Sequence, residues 1–153
     1  MMRVFRLSRK KYANDLTGKG AAQFGYRWNS KGIEMVYTAE SRALAMAEVA
    51  VHLTLATLPD DYMMIEIEIP DSVSIEFFDP SGLERDWNSY PHSPKTQLIG
   101  DRFARSMLAC VLKVPSAVVK EDFNFLLNPN HPDIQKIYIL DSCDFPFDQR
   151  IFE

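Results

Sequence analysis

Alternating apolar and polar residues predict β-strands at two places in the chain. In residues 62–70, YMMIEIEIP, one side is formed by Ile65, Ile67 and Ile69, and the other by Met64, Glu66 and Glu68. This period of two is typical of a half-buried strand. Residues 72–78 alternate similarly, and short apolar runs predict further strands at 4–7, 35–39, 111–114 and 136–140.

Helical spacing of apolar residues marks two other segments. Residues 41–58, SRALAMAEVAVHLTLATL, predict a helix with Thr38 or Ser41 as its N-cap and Pro59 at its end. Residues 96–110 predict a second, amphipathic helix, with apolar positions at Leu98, Ile99, Phe103, Met107 and Cys110. Residues 14–33, 80–94 and the Pro-containing segment around 128–132 are predicted to be loops.

These elements predict a single compact α+β domain over residues 1–153. Strands and helices do not alternate regularly, which favours a mixed sheet with flanking helices over a doubly wound sheet. A chain of 153 residues can bury one core and has little room for a second. No repeat or linker-like stretch divides it.

The net charge of the chain bears on which kinds of partner it can bind. The chain has 17 basic and 21 acidic residues, a net charge of −4. A broad nucleic-acid surface needs clustered Lys and Arg, so direct nucleic-acid binding and an RNA-cleaving activity are disfavoured. A local basic pocket remains compatible with this balance.

The sequence predicts a soluble cytoplasmic protein with no membrane contact. The basic start MMRVFRLSRKK is not followed by an apolar run of signal-peptide length, and the apolar stretch 43–58 is too short and too polar to span a membrane. Cys110 and Cys143 have no metal-site spacing and are expected to be reduced, packed thiols.

Glu48 is the most informative candidate residue. Its predicted helix is apolar almost all the way round, so the helix is expected to be buried, and a buried carboxylate is costly without partners or a task. His52 lies four residues on, one turn along the same predicted face. The pair could instead form the thin polar edge of an amphipathic helix. A metal site is disfavoured because no second ligand cluster completes it.

Three further candidates have both structural and functional interpretations. Arg27, in the loop GYRWNSKG, could hold a phosphate or carboxylate through two hydrogen bonds, or could be a solvated loop residue. Tyr37 on the strand MVYTA is by default a core aromatic. Ser116 in VPSAVV lies at a turn, and without a G-x-S-x-G motif a nucleophilic role is disfavoured.

In their order, these segments resemble the RES domain family, named for an Arg, a Glu and a Ser. The resemblance runs nearly end to end. It is carried by VFRLS, GYRWNSKGIEMVYTAES, ALAMAEVAVH, EIEIP, TQLIGDRF, VPSAVV, NFLLNPNHPD and FPFDQRIF. The family's Arg, Tyr, Glu and Ser fall on Arg27, Tyr37, Glu48 and Ser116, with no departure at these positions.

The resemblance implies a toxin of a type II toxin–antitoxin system that depletes NAD. It also implies a fold similar to diphtheria-toxin-like ADP-ribosyltransferases and a helical, DNA-binding antitoxin as partner, and it allows a homodimer. NAD would be the substrate, with no true cofactor and no metal. The acceptor of the ribosyl group, water, phosphate or a protein, stays open.

The roles that the resemblance implies for these residues match the charges that NAD carries and develops during cleavage. Cleavage of the nicotinamide–ribose bond develops positive charge on the ribose, which a carboxylate such as Glu48 can stabilise. The resemblance assigns the pyrophosphate to Arg27, the nicotinamide ring to Tyr37 and the nearby ribose or amide to Ser116. Arg6 and His52 are expected to orient Glu48 or contact phosphate.

Two alternatives remain open at this point. The chain could be an ADP-ribosyltransferase that modifies a specific cellular protein. It could also be a non-catalytic protein-binding module in which Glu48 is a buried structural acid. The tail FPFDQRIF and an exposed Trp87 loop would then form the binding surface.

Overall fold

The computed structural model describes residues 1–152, so Glu153, the last residue of the predicted domain, lies outside the described part. The strands are β1 (Met2–Arg9), β2 (Val36–Ala39), β3 (Tyr62–Ile69), β4 (Ile75–Phe77), β5 (Val111–Pro115), β6 (Phe123–Leu127) and β7 (Tyr138–Asp144). The α-helices are α1 (Lys19–Phe24), α2 (Arg42–Ala50) and α3 (Pro94–Ser106).

All seven strands form one mixed sheet in the order β4-β5-β6-β2-β1-β3-β7. β4 and β5 run parallel, and the other neighbouring strands pair antiparallel. The long pairing of β1 with β3 extends from Met2↔Ile69 to Arg9↔Tyr62. This sheet with three flanking helices confirms the predicted α+β class.

The two faces of the sheet bury different cores. On one face Val4, Ile65, Ile67, Val111 and Leu127 belong to a single cluster. The opposite face carries two clusters that lie side by side. The first packs Phe5, Leu7 and Ala39 of the sheet against Leu44 and Ala45 of α2. The second packs Leu112, Val114 and Leu126 against Trp28, Phe103 and Ala104. Tyr37 and Asn124 lie on this same face.

The predicted helix 41–58 is wrong in its second half. Ser41 does cap α2, since its side chain accepts a hydrogen bond from the N–H of Leu44, but the helix ends at Ala50. Threonines interrupt the segment that follows, where the hydroxyls of Thr54 and Thr57 bond to each other at 2.8 Å. Such side chains compete with helical hydrogen bonding. The helix is also not buried all round, because only Leu44 and Ala45 are fully buried.

The second predicted helix is confirmed but ends early. α3 ends at Ser106 because Met107 adopts a left-handed conformation with φ of 56°. The expected apolar stripe is therefore only partly buried: Phe103 is 4% exposed, whereas Leu98 is 57% exposed and Met107 45%.

Two elements were missed. The predicted loop 14–33 contains the short helix α1, and residues 123–127, for which no strand was predicted, form β6, an inner strand of the sheet. The apolar run of β6 is short and is interrupted by Asn124, which hides the strand pattern.

Three expected exposures are corrected. Cys143 is exposed rather than packed, while Cys110 is buried. Trp87 is half-buried, with its ring 5.9 Å from that of Trp28. In the FPFDQRIF tail, Phe147 packs edge-on against Tyr62 at 5.4 Å, so the tail covers its own domain.

The helices of residues 1–152 include none that is both long and apolar enough to cross a membrane.

Candidate active site

Glu48 lies in the last turn of α2 and turns its carboxylate towards the sheet. The Ser116 hydroxyl donates to Oε2 of Glu48 at 3.1 Å, and the Asn124 side-chain amide donates to Oε1 at 2.5 Å. Each carboxylate oxygen therefore has one donor from a distant part of the chain. The acid is half-buried and held in a defined orientation.

Burial raises the pKa of Glu48 above its ordinary value. The hydrogen bonds from Asn124 and Ser116 oppose this rise, as does the positive charge of Arg27, whereas Asp122 adds to it. A carboxylate that is poorly hydrated but still supplied with donors is suited to stabilising a positive charge that develops close to it.

Ser116 is buried immediately after β5 and is held by its own turn. Its oxygen accepts the N–H groups of Val118 and Val119, both at 3.1 Å. The hydroxyl proton is then free to point at Glu48. The serine both closes the turn, as its default interpretation predicted, and contacts the acid.

Arg27 is half-buried and bridges two loops. Its two terminal nitrogens donate to the backbone carbonyls of Trp87 at 2.9 Å and Ser89 at 3.0 Å. A guanidinium has five N–H donors, so three remain for a ligand. Arg27 also lies within electrostatic range of Glu48 and Tyr37. Burial lowers the pKa of Arg27, although a guanidinium remains charged at neutral pH.

Tyr37 connects the sheet to the loop that carries Arg27. Its hydroxyl donates to Oδ1 of Asn29 at 2.7 Å and accepts the N–H of Trp28 at 2.9 Å. Burial raises the pKa of Tyr37, so the phenol stays neutral. The ring meets that of Tyr26 edge-on at 5.8 Å. Because the hydroxyl is already paired, the ring is the part of Tyr37 available to a ligand.

Replacing Tyr37 by Phe is expected to lower the free energy of unfolding by roughly 1–3 kcal/mol, because the buried Trp28 N–H loses its acceptor and Asn29 Oδ1 keeps only the hydrogen bond from the Tyr26 N–H. Urea unfolding followed by fluorescence measures this. Tyr90→Phe is the matched control: Tyr90 is 78% exposed, so its loss should change stability by less than about 0.5 kcal/mol. Equal effects in the two variants would contradict a structural role for the Tyr37 hydroxyl.

One face of α3 holds the loop of Arg27 in place. The buried carboxylate of Asp101 accepts both the N–H of Ser30, at 2.9 Å, and its hydroxyl, at 2.5 Å. The Gln97 amide donates to the carbonyls of Tyr26 and Asn29, both at 3.1 Å. Residues three and four apart on a helix share a face, so these two side chains grip the loop at both ends.

His92 is a further residue near Arg27. Its Nε2 lies 3.1 Å from the Gln97 amide nitrogen. Burial, together with the Arg27 charge, lowers the pKa of His92, which therefore favours the neutral ring. Its ring nitrogens place a polar group beside the guanidinium.

Arg6 is held away from Glu48. It lies on the Val4 side of β1, and its guanidinium donates to the carbonyls of Asp15 at 2.7 Å and Tyr12 at 3.4 Å. None of the hydrogen bonds described for residues 1–152 joins it to Glu48. It remains within electrostatic range of Tyr26, and burial lowers its pKa.

His52 does not share a helical face with Glu48, because α2 ends two residues before it. Its exposed ring packs at 5.8 Å against Tyr90, in the loop that Arg27 holds. The structure thus brings together Arg27, Tyr37, Glu48 and Ser116, and it places His52 at the margin of this group.

Sequence reasoning missed the polar residues that support the site. Asn29, Asn124 and Asp101 are 0%, 7% and 3% exposed. The available signal was a polar residue in an otherwise apolar run, as in FNFLLN, since buried polar groups are rare without a partner. Within residues 1–152, no group of three or more His, Cys, Asp or Glu side chains is arranged to hold a metal ion.

Known proteins are similar to this chain in sequence and in fold. The model of the RES domain matches residues 3–148. The Prs ADP-ribosylating toxin of Sphingobium sp. (strain YBL2) is 42% identical over 127 residues, 82% of this chain and 79% of that protein. The toxin Res of Yersinia enterocolitica is 35% identical over 152 residues, 98% of this chain and 99% of that protein.

A solved structure supports the same fold. The toxin–antitoxin complex MbcT–MbcA of M. tuberculosis contains a chain that matches 95% of this one, with a TM-score of 0.73 and 20% sequence identity. The match covers 84% of that chain. At this identity the likeness concerns the fold alone.

Proposed function

This chain belongs to the RES domain family, and from that premise we propose that it is the toxin of a toxin–antitoxin pair that cleaves the nicotinamide–ribose bond of NAD. The observation that carries the proposal is the Glu48 carboxylate, half-buried and held between Ser116 and Asn124 beside the charge of Arg27. A carboxylate and a guanidinium of fixed position, with the neutral phenol of Tyr37 close to the guanidinium, suit a substrate that is anionic at its phosphates and becomes cationic at its ribose.

Glu48 is the proposed catalytic residue. When the bond to the nicotinamide nitrogen breaks, the bonding electrons leave with neutral nicotinamide, and the ribose carbon gains positive charge. A preorganised carboxylate in a poorly hydrated site stabilises that charge more strongly in the transition state than in the ground state. Because the leaving group is already cationic in NAD, its departure needs little help from an acid.

Arg27, Tyr37 and Ser116 are the proposed binding residues. The free N–H donors of Arg27 suit the pyrophosphate oxygens, which a planar guanidinium can bind through two bonds at once. The Tyr37 ring suits the nicotinamide or its ribose. The Ser116 hydroxyl keeps Glu48 in place, and a contact with the nearby ribose or amide is the role that the family resemblance assigns to it. Arg6 and His52 are secondary candidates, for phosphate and for the edge of the site.

A second candidate reaction is the transfer of ADP-ribose to a protein. It is favoured by the 42% identical relative that is named an ADP-ribosylating toxin. The same cleavage serves both reactions, since only the group that attacks the ribose carbon differs. We propose a cytoplasmic site of action, where NAD is available, and a helical, DNA-binding antitoxin as partner, with homodimerisation as a further option.

Purified chain, freed of any partner, is expected to release nicotinamide from NAD. The measurement is the time course of NAD and nicotinamide by chromatography, in buffers with and without inorganic phosphate. Dependence on phosphate would identify phosphate as the acceptor, and ADP-ribose formed without it would identify water.

Label transferred from NAD to protein, in the presence of a cell extract, would instead identify a protein acceptor. If folded protein neither binds NAD nor releases nicotinamide under any of these conditions, the proposal fails. A non-catalytic binding module would then be the better account.

A further inference from the structure

We propose that Asn124 is a positioning residue for Glu48, holding the carboxylate in one orientation and in its ionised form. This inference rests on the proposed function, because it assigns a role within the same reaction. Asn124 is on β6, the strand that the sequence pattern failed to predict, and it is not among the four residues to which the family resemblance assigns a role.

The Asn124 amide has only one orientation that satisfies its surroundings. Its nitrogen donates one hydrogen to the backbone carbonyl of Thr38, at 3.1 Å, and the other to Oε1 of Glu48, at 2.5 Å. If the amide were flipped, its oxygen would face two acceptors. Because β2 and β6 are paired, with Ala39 opposite Asn124, the sheet fixes the Asn124 amide beside the Thr38 carbonyl, and α2 begins at Arg42, shortly after β2 ends.

The two donors to Glu48 bind different oxygens of its carboxylate. Ser116 takes Oε2 and Asn124 takes Oε1. Neither side chain titrates in the range where an enzyme works, so both remain donors at every relevant pH. Donors that point at the charged form stabilise it relative to the protonated acid.

The groups around Glu48 have opposing effects on its ionisation, so the loss of one hydrogen bond can change its pKa. Arg27 on the loop favours the ionised form of Glu48, while Asp122, immediately before β6, and the burial of the Glu48 side chain disfavour it. Loss of the Asn124 donor would remove one favourable contribution and leave both unfavourable ones. Glu48 would then bind its proton more tightly.

The test is Asn124→Leu, which keeps a side chain of similar size and removes both hydrogen bonds. The carboxyl titration of Glu48, followed by NMR of protein with ¹³C-labelled glutamate, is expected to move up by about one pH unit, a tenfold change in proton affinity. The acid limb of kcat/KM for NAD cleavage should move up by the same amount, and much of the lost activity should return at higher pH. A purely structural defect would lower activity equally at all pH values.

Two further variants keep the test decisive. Asn128→Leu makes the same change at a buried Asn just beyond β6, whose amide donates to the Ala104 carbonyl at 3.0 Å. It should lower stability without moving the Glu48 titration. Asn124→Asp keeps the shape but sets an acid against Glu48, so the pair should hold a shared proton to still higher pH.

The outcomes separate this proposal from the proposed function. An unmoved Glu48 titration in both Asn124 variants would overturn the positioning role, whatever the enzyme does. A titration that moves as expected in a protein that never cleaves NAD would support the positioning role and reject the reaction. A shift of equal size in Asn128→Leu would also overturn the proposal, since the effect would not be specific to the Glu48 contact.

Discussion

Replacing Glu48 by Gln is expected to lower kcat for NAD cleavage by on the order of a hundredfold to a thousandfold, the usual cost of losing one preorganised electrostatic stabiliser. The amide has nearly the shape of the acid but no charge to offer the ribose. It also fits its partners poorly: Ser116 and Asn124 both donate here, and an amide has only one oxygen to accept them. KM for NAD should change much less, because Arg27, the proposed ligand of the phosphates, is unchanged.

The loss should not come from unfolding. Burial raises the pKa of Glu48, so the folded state binds its proton more tightly than the unfolded chain does. As pH rises from the ordinary pKa of a glutamate to the higher pKa of Glu48 in the folded protein, the contribution of Glu48 to the free energy of unfolding therefore falls. Glu48→Gln removes this dependence. Urea unfolding at several pH values should show a variant that is about as stable as the wild type at neutral pH.

The matched control is Glu40→Gln. Glu40 precedes the same helix, is exposed, and accepts a hydrogen bond from the Phe123 N–H at 2.9 Å. Removal of its charge should leave kcat within about threefold of the wild type, since exposed charges interact weakly. If folded Glu48→Gln cleaved NAD as fast as Glu40→Gln, Glu48 would be a structural acid and not the catalytic residue.

The sequence pattern predicted those parts of the fold in which local periodicity and burial agree. The alternation in residues 62–70 became β3, with Ile65, Ile67 and Ile69 at 0–1% exposure; the strand is more than half-buried, since Met64 and Glu68 on its other side are buried too. Of the two predicted N-cap candidates, Ser41 is the one that caps α2 and Thr38 is not; such a candidate can be named from sequence because capping depends on a side chain and the N–H groups of the next turn. Both features involve neighbours in the chain.

The site could not be predicted in this way, since it is built from distant parts of the chain. Glu48 is separated from Ser116 by 68 positions and from Asn124 by 76. Periodicity carries no information about such pairs, so Ser116 was predicted to be a turn residue and received a site role only through the family resemblance, and Asn124 was not a candidate. His52 shows the opposite error: its predicted place on the Glu48 face assumed a helix that ends before it.

The packing of α3 against the Arg27 loop also joins distant parts of the chain, and it depends on one glycine. Between Gln97 and Asp101, which hold the loop through hydrogen bonds, α3 carries Gly100 against the backbone of Trp28. A Cβ at position 100 would lie 1.6 Å from the Trp28 carbonyl oxygen and 2.6 Å from its carbon. Backbone atoms cannot move aside as the end of a flexible side chain can, so only glycine fits here.

Gly100→Ala is therefore expected to lower the free energy of unfolding by about 3 kcal/mol or more, the upper end for overpacking a core. The helix and loop must move apart to admit the methyl group, which also strains the Asp101 bonds to Ser30 and displaces Arg27. Urea unfolding measures the stability, and NAD titration of the remaining folded protein should show weakened binding.

Gly20→Ala is the control, and it should have the opposite sign. Gly20 lies in α1, and no atom is within 4 Å of the place that an alanine methyl would take, so alanine meets no obstacle there. In a helix alanine is favoured over glycine by roughly 0.5–1 kcal/mol, and the variant should be at least as stable as the wild type. Equal stability of the two variants would mean that α3 does not press on Trp28, and that the loop of Arg27 is positioned by its hydrogen bonds alone.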